Sequence, residues 1–441
     1  MKRYIVFLLA IIMLSAFAFS SACDLSKKPS GNIGDPSYSG SHSANEPYIP
    51  QPASGKTTDL MLGYTAGDVE AVALENAYRS AYNAFTADLF KRLYEGKNEL
   101  ISPLSIQLAL SMTANGAAGA TKTQMEAALF GGGDLDVFNA YNMSYVKSVT
   151  EQTNVRINVA NSIWFKDDPL FTVKGEFLQK NADYYDAAAY KSPFNDDTLK
   201  DINGWVSNKT DGMIDKILDE ISKDAIMYLI NAVLFDAEWS MKFENESDEY
   251  FTCADGTKKQ MTIMRDEVSG YLESDFAEGF VKYYKGGRFA FAAMLPKDGY
   301  TVKSVVESLT GEKLTSYFAS KVSDMVALKM PKFKLDYEAD LNDYLIAMGM
   351  EDAFDGGKAD FSALGAYNDA NIYIGFVKHK TAIEVGEAGT KAAAVTAVCI
   401  EKATAAMPEP KIHYVYLTRP FIYFLLDTET NTPLFMGTYE K

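Results

Sequence analysis

Glu387-Ala388-Gly389-Thr390-Lys391-Ala392-Ala393-Ala394-Val395-Thr396-Ala397-Val398-Cys399-Ile400 reads as a β-strand with no sheet beside it. Counting every second residue puts Thr390, Ala392, Ala394, Thr396, Val398 and Ile400 on one face, and Lys391 and Glu401 on the other. Side chains alternate across a strand, so one face can be buried and the other wetted. No hairpin turn follows. The chain runs from Glu401 to Leu417 through Met407-Pro408-Glu409-Pro410, whose prolines argue against a central strand, before the apolar Phe421-Ile422-Tyr423-Phe424-Leu425-Leu426. A strand-competent segment of small residues on a long loop is a latent edge-pairing element, which most folded proteins avoid.

On these residues the chain resembles the serpin family. Glu387-x-Gly389-Thr390-x-Ala392-Ala393-Ala394 resembles the hinge of a serpin reactive-centre loop, and His379-Lys380-x-Ala382-x-Glu384-Val385 resembles the strand leading into it. Arg419-Pro420-Phe421 and Pro433-Leu434-Phe435-Met436-Gly437 resemble the C-terminal signature. Asn98-x-x-x-Ser102-Pro103-x-Ser105-Ile106, Gly116-Ala117-x-Gly119-x-Thr121-x-x-Gln124-Met125, Pro331-Lys332-Phe333-Lys334 and Gly349-Met350-x-x-Ala353-Phe354 match in order. The resemblance covers residues 70–441. It implies one α+β domain, residues 68–441, with three β-sheets around a large central one, eight to nine helices and an exposed loop over residues 387–412. Two departures stand out: Ala388 replaces the second acidic hinge residue, and Thr418 replaces the Asp or Asn before Arg419.

Local patterns agree with a mixed fold. Tyr78, Tyr82, Phe85, Leu89 and Leu93 recur at helical spacing and stop at Gly96. Ser102-Pro103 is a helix start, and Thr121-Lys122-Thr123-Gln124 predicts a capping box for the next helix. Asp340–Ala347 reads as helical, ended by Gly349. Val155, Ile157, Val159, Ile163 and Phe165 alternate, and Met227–Phe235, Phe289–Leu295 and Val326–Met330 are further strand signals. Helices early and strands late favour α+β over alternating α/β.

Asn231 interrupts the apolar run Leu229–Phe235, and a buried amide without partners costs about 1–3 kcal/mol, so it must find hydrogen bonds. The resemblance supplies a group: Ser102, Ser105, Asn231 and His379 match the serpin shutter, a polar cluster beneath the central sheet. Trp239 and Phe243 match the breach at its top, where loop insertion begins. Family spacing sets the scissile bond fourteen residues past Gly389, at Ala403-Thr404, with Lys402, Ala405, Ala406 and Met407 as neighbouring possibilities.

The N-terminus is addressed outward. Met1-Lys2-Arg3, an apolar run from Tyr4 to Phe19 and Ser20-Ser21-Ala22-Cys23 predict a signal peptide over residues 1–22. The ending resembles a bacterial lipobox with Ser20 where Leu is usual, which makes Cys23 the expected lipidation site and a lipid anchor the expected membrane contact. The chain is thus read as bacterial and extracellular, secreted or lipid-anchored. Residues 23–67 are rich in Gly, Ser and Pro and read as a flexible tether, with a mean reach of about 35 Å.

Net charge is −17, from 42 basic and 59 acidic residues, and no basic run interleaves with aromatics, which excludes nucleic acid as an expected partner. Cys23, Cys253 and Cys399 form neither a disulfide framework nor a metal-ligand spacing. Three histidines, no Gly-x-Ser-x-Gly and no His-Glu-x-x-His leave no catalytic constellation, so no enzyme and no cofactor are expected.

The resemblance implies a monomeric suicide inhibitor of serine proteases. Ala403 suits elastase-like or subtilisin-like targets, and Lys402 keeps a trypsin-like one open. A non-inhibitory serpin acting as a binding or chaperone module is the alternative, and a surface adhesion or solute-binding lipoprotein is a third.

Overall fold

The computed structural model describes residues 57–222, 225–368, 370–390 and 411–441. The expected signal peptide over residues 1–22, Cys23 and the expected tether up to residue 56 lie outside them, as do Ala392, Ala393, Ala394, Ala403 and Thr404.

The five residues at helical spacing are buried along one side of α1 (Asn76–Leu93). Nine further helices occur among the described residues: α2 (Pro103–Ala114), α3 (Gly119–Phe130), α4 (Leu135–Thr150), α5 (Gly175–Tyr185), α6 (Asp196–Lys209), α7 (Val302–Ser308), α8 (Gly311–Ala319), α9 (Asn342–Ala347) and α10 (Glu351–Phe354). That total of ten exceeds the expected eight to nine, and α9 and α10 are only six and four residues long.

Ser102 caps α2 as anticipated, its hydroxyl accepting from the Ser105 amide, with Pro103 at the first helical position. The capping box at Thr121 does not form. Ala118 caps α3 instead, its amide donating to the Asp360 carbonyl at 2.8 Å, and the Thr121 hydroxyl accepts from the Asp360 amide at 2.9 Å. A tertiary contact has claimed the residue that local pattern assigned to a cap.

The central sheet has seven strands in the order β1 (Thr58–Asp59), β5 (Ala188–Ser192), β3 (Val155–Lys166), β6 (Met227–Glu238), β15 (Gly389–Thr390), β14 (Lys378–Val385) and β12 (Phe333–Asp340). A nine-stranded sheet runs β16 (Ile412–Tyr416), β11 (Val322–Pro331), β8 (Lys258–Glu273), β9 (Ala277–Tyr283), β10 (Phe289–Pro296), β17 (Phe421–Asp427), β18 (Thr432–Tyr439) and β2 (Leu100–Ile101), with β7 (Asn245–Thr252) on β8. β4 (Phe171–Val173) and β13 (Gly365–Tyr367) form a small third sheet. These layers make an α+β fold with a large central sheet.

β6 shows why the central sheet needs cover on both sides. Its even residues Tyr228, Ile230 and Ala232 pack with Trp164, Tyr190 and, from α6, Trp205. The odd residue Asn231 turns to α2, bonding Ser105. β17 and β18 are buried at every position, which accounts for the apolar runs Phe421–Leu426 and Pro433–Met436 within them. At Gly437 a side chain would meet the Tyr423 ring and the Glu99 carbonyl, 2.6 and 2.7 Å away, so only glycine lets these layers close.

Residues 57–67, read from composition as the end of the tether, lie instead on the folded body. β1 pairs antiparallel with β5, the Thr57 hydroxyl donates to Asp201 at 2.9 Å, and the Gly67 amide donates to Asp183 at 2.8 Å. Polar side chains that look solvated in sequence are satisfied here by a sheet edge and its flanking helices.

Candidate functional site

Gly389 and Thr390 are strand residues within the central sheet. Gly389 lies opposite Glu238, and Thr390 lies opposite Ala237 of β6 and Val385 of β14. Among the described residues this two-residue strand is the only ladder joining β6 to β14. Thr390 is 1 % exposed, and its hydroxyl is 2.6 Å from that of Tyr284. Burial pushes the Tyr284 phenol well up, so it remains a neutral hydrogen-bonding group.

The backbone just before this strand is held by one corner of chain, residues 239–243. The Trp239 amide donates to the Ala388 carbonyl and the Phe243 amide to the Glu387 carbonyl, both at 3.0 Å. The Trp239 indole donates to the Gly386 carbonyl at 2.8 Å, and the Gly386 amide donates to the Gly389 carbonyl at 2.9 Å. Trp239 lies flat on Tyr284 with ring centroids 4.3 Å apart, and Phe243 meets its edge. Because Ala388 contributes its carbonyl, the missing second acidic residue costs none of these bonds. The Glu387 carboxylate lies 2.9 Å from Lys332, whose hydrogen bond holds the carboxyl below its ordinary range.

The four polar residues beneath the sheet divide into two arms on the start of α2. His379 is buried and accepts at Nε2 from the Ser102 amide at 3.2 Å, while the Ser102 hydroxyl donates to the Leu434 carbonyl at 2.9 Å. Burial lowers the His379 pKa to about 3, so the ring is neutral, as its acceptor role requires. In the other arm the Ser105 hydroxyl donates to Asn231, which donates to Asn161. Asn161 stands directly across from Asn231 in the β3–β6 ladder. Sequence reading missed Asn161, though it is the same signal as Asn231: an amide inside an alternating apolar strand. Tyr284 was missed because nothing local distinguishes it from other core aromatics.

Cys253 is buried and free. Among the described residues, the geometry assembles a sheet in which β6 and β14 are bridged by Gly389 and Thr390 at one end of the seam between them, with a satisfied polar cluster further along it.

Residues 80–441 match the family described as Serpin (serine protease inhibitor). An uncharacterized serpin-like protein of Thermococcus kodakarensis is 32 % identical over 404 residues, covering 89 % of this chain and 92 % of that one. Serpin B10 of Homo sapiens is 30 % identical, covering 81 % of this chain and 98 % of its own length. Among solved structures, the thermophilic serpin tengpin in its native state superposes with a TM-score of 0.82 at 41 % identity, covering 88 % of this chain and all of tengpin. Serpins are for the most part protease inhibitors and not enzymes. With its fold, hinge geometry and near full-length match, this chain belongs to the serpin family.

Proposed function

We propose that this serpin is a suicide inhibitor of serine proteases, using Ala403-Thr404 as bait and the segment after Thr390 as the strand that traps the enzyme. The observation that carries this reading is the seating of Gly389 and Thr390 between β6 and β14. Continued at the same register, Ala392 would come opposite Phe235 and Ile383, Ala394 opposite Val233 and Thr381, and Thr396 opposite Asn231 and His379. The small uncharged face would then meet α2, and Thr396 would reach the polar cluster with a hydroxyl able to join it.

In the reaction the protease serine attacks the Ala403 carbonyl, and the Ala403–Thr404 bond breaks. The Thr404 amine leaves with a proton delivered by the protease histidine, and Ala403 remains esterified to the serine. The freed strand fills the seam. Ten added residues, 391–400, each contributing about 0.5–1.5 kcal/mol of net hydrogen bonding, bring a gain on the order of ten kcal/mol. Thirteen extended residues from 391 to 403 span about 45 Å, so the protease is carried far from its docking point before water can hydrolyse the ester. Ala403 favours a shallow specificity pocket of the elastase or subtilisin type. The basic and apolar leader and Cys23 support action outside a bacterial cell, on a lipid anchor.

Mixing the chain from Thr57 onward with elastase, and separately with trypsin, tests the reading on denaturing gels. A covalent band of summed mass and a released peptide beginning at Thr404 are expected. Cleavage without that band, for every serine protease tried, would leave the non-inhibitory alternative.

A further inference from the structure

The corner that grips the hinge is itself gripped from below. Lys282, on β9, is 2 % exposed, and its ammonium donates to the Met241 carbonyl at 2.8 Å and pairs with Asp266 of β8. The same nitrogen lies 4.3 Å from the centre of the Phe243 ring and 5.5 Å from that of Trp239. A buried cation is costly unless its surroundings are fully matched. Here a carboxylate, a carbonyl and two aromatic faces offset that cost in part, burial still holding the ammonium pKa below its ordinary value, and all but the carboxylate belong to residues 239–243. No fold-level requirement asks for a charge at this place, since β9 pairs with β10 through backbone bonds there, Lys282 opposite Phe291.

The consequence is directional. Holding Met241 and both rings fixes the turn of the corner, and that turn aims the Trp239 and Phe243 amides at the carbonyls of Ala388 and Glu387. It also sets the Trp239 ring against Tyr284, the partner of the Thr390 hydroxyl. The geometry points to Lys282 as a positioning residue for loop insertion: by clamping the 239–243 corner it keeps the hinge seated, so that strand insertion outruns hydrolysis of the acyl-enzyme. This inference rests on the inhibitory reading for its kinetic consequence, and on geometry alone for the clamp.

Lys282→Met keeps the length and packing of the side chain and removes the charge. The variant is compared with Lys282→Arg, which keeps the cation. Two quantities are read: the moles of serpin consumed per protease inhibited, and hydrogen exchange at the amides of residues 239, 243 and 386–390. Losing a buried cation with these contacts is expected to raise consumption about fivefold or more in Lys282→Met, with loop cleavage unchanged within about twofold, and to speed exchange about tenfold. Lys282→Arg stays within about twofold on both. A purely structural role would lower the unfolding temperature and leave the partition alone. Consumption within twofold of the parent, in a folded Lys282→Met, overturns the inference. If the parent traps no protease, the inhibitory reading fails and exchange decides the clamp: faster exchange supports it, unchanged exchange overturns it. If Lys282→Met does not fold, Asp266→Asn takes its place, with the same expected shifts and the same contradicting result.

Discussion

The hydroxyls of Thr390 and Tyr284 lie 2.6 Å apart in a fully buried site, which joins the first residues of the loop to the core beneath the top of the central sheet. Gly389 and Thr390 are thus already strand residues of the central sheet, and on the inhibitory reading the residues after Thr390 follow them on cleavage. Any charge at position 390 would have to enter that same dry site. Thr390→Arg should thus leave loop cleavage as fast as in the parent while abolishing the covalent protease complex, a split that a gel time course reads directly.

Charge on the outward face makes a second case. At the β15 register, Lys391 would come between Asp236 of β6 and Glu384 of β14. Asp236 now faces Arg156 at 3.1 Å, and Glu384 faces Lys334 at 3.5 Å, both on a partly exposed surface. Lys391→Glu should raise the serpin consumed per protease severalfold through like-charge repulsion, an effect that weakens in about 1 M salt. Equal stoichiometry for parent and variant at low salt would contradict it.

The amide arm beneath the sheet should be sensitive to deletion of a single oxygen. Ser105→Ala removes the donor to Asn231 and leaves a half-buried acceptor short of a partner, at a cost of about 1 kcal/mol. Chemical denaturation should show that loss. Replacing Asn161 should cost a similar amount, since its oxygen is the acceptor for the Asn231 amide.

His379 gives a pH dependence of definite sign. Its folded pKa is lowered to about 3 by burial, against an ordinary value of 6.5. Between those values the unfolded chain binds the proton and the folded one does not, so the stability is complete above pH 6.5 and is lost as pH falls toward 3. At pH 5 the His379 contribution to that loss is about 2 kcal/mol. The difference in unfolding free energy between pH 7.5 and pH 5 should be smaller by that amount in His379→Gln than in the parent.

Much of this was legible in sequence because it rests on local chemistry. The hinge shows as alternating small residues, the α2 start as Ser102-Pro103, and Asn231 as a polar break in an apolar run. What escaped depends on distant partners. Thr121 fits a capping box until Asp360 takes its hydroxyl, and Thr57 looks solvated until Asp201 meets it. Nothing local marks Lys282, since its burial comes from a corner some forty residues earlier in the chain.

The central claim is that the seam between β6 and β14 is a strand site that cleavage allows the loop to fill. Thermal unfolding of the intact protein and of protein nicked once within residues 400–410 tests this directly, with no inhibited protease needed. A gain on the order of ten kcal/mol in a chain of this size should raise the unfolding temperature by about 10 °C or more after nicking. An unchanged or lowered transition would mean that the cut loop does not insert, and that the trapping mechanism is wrong for this chain.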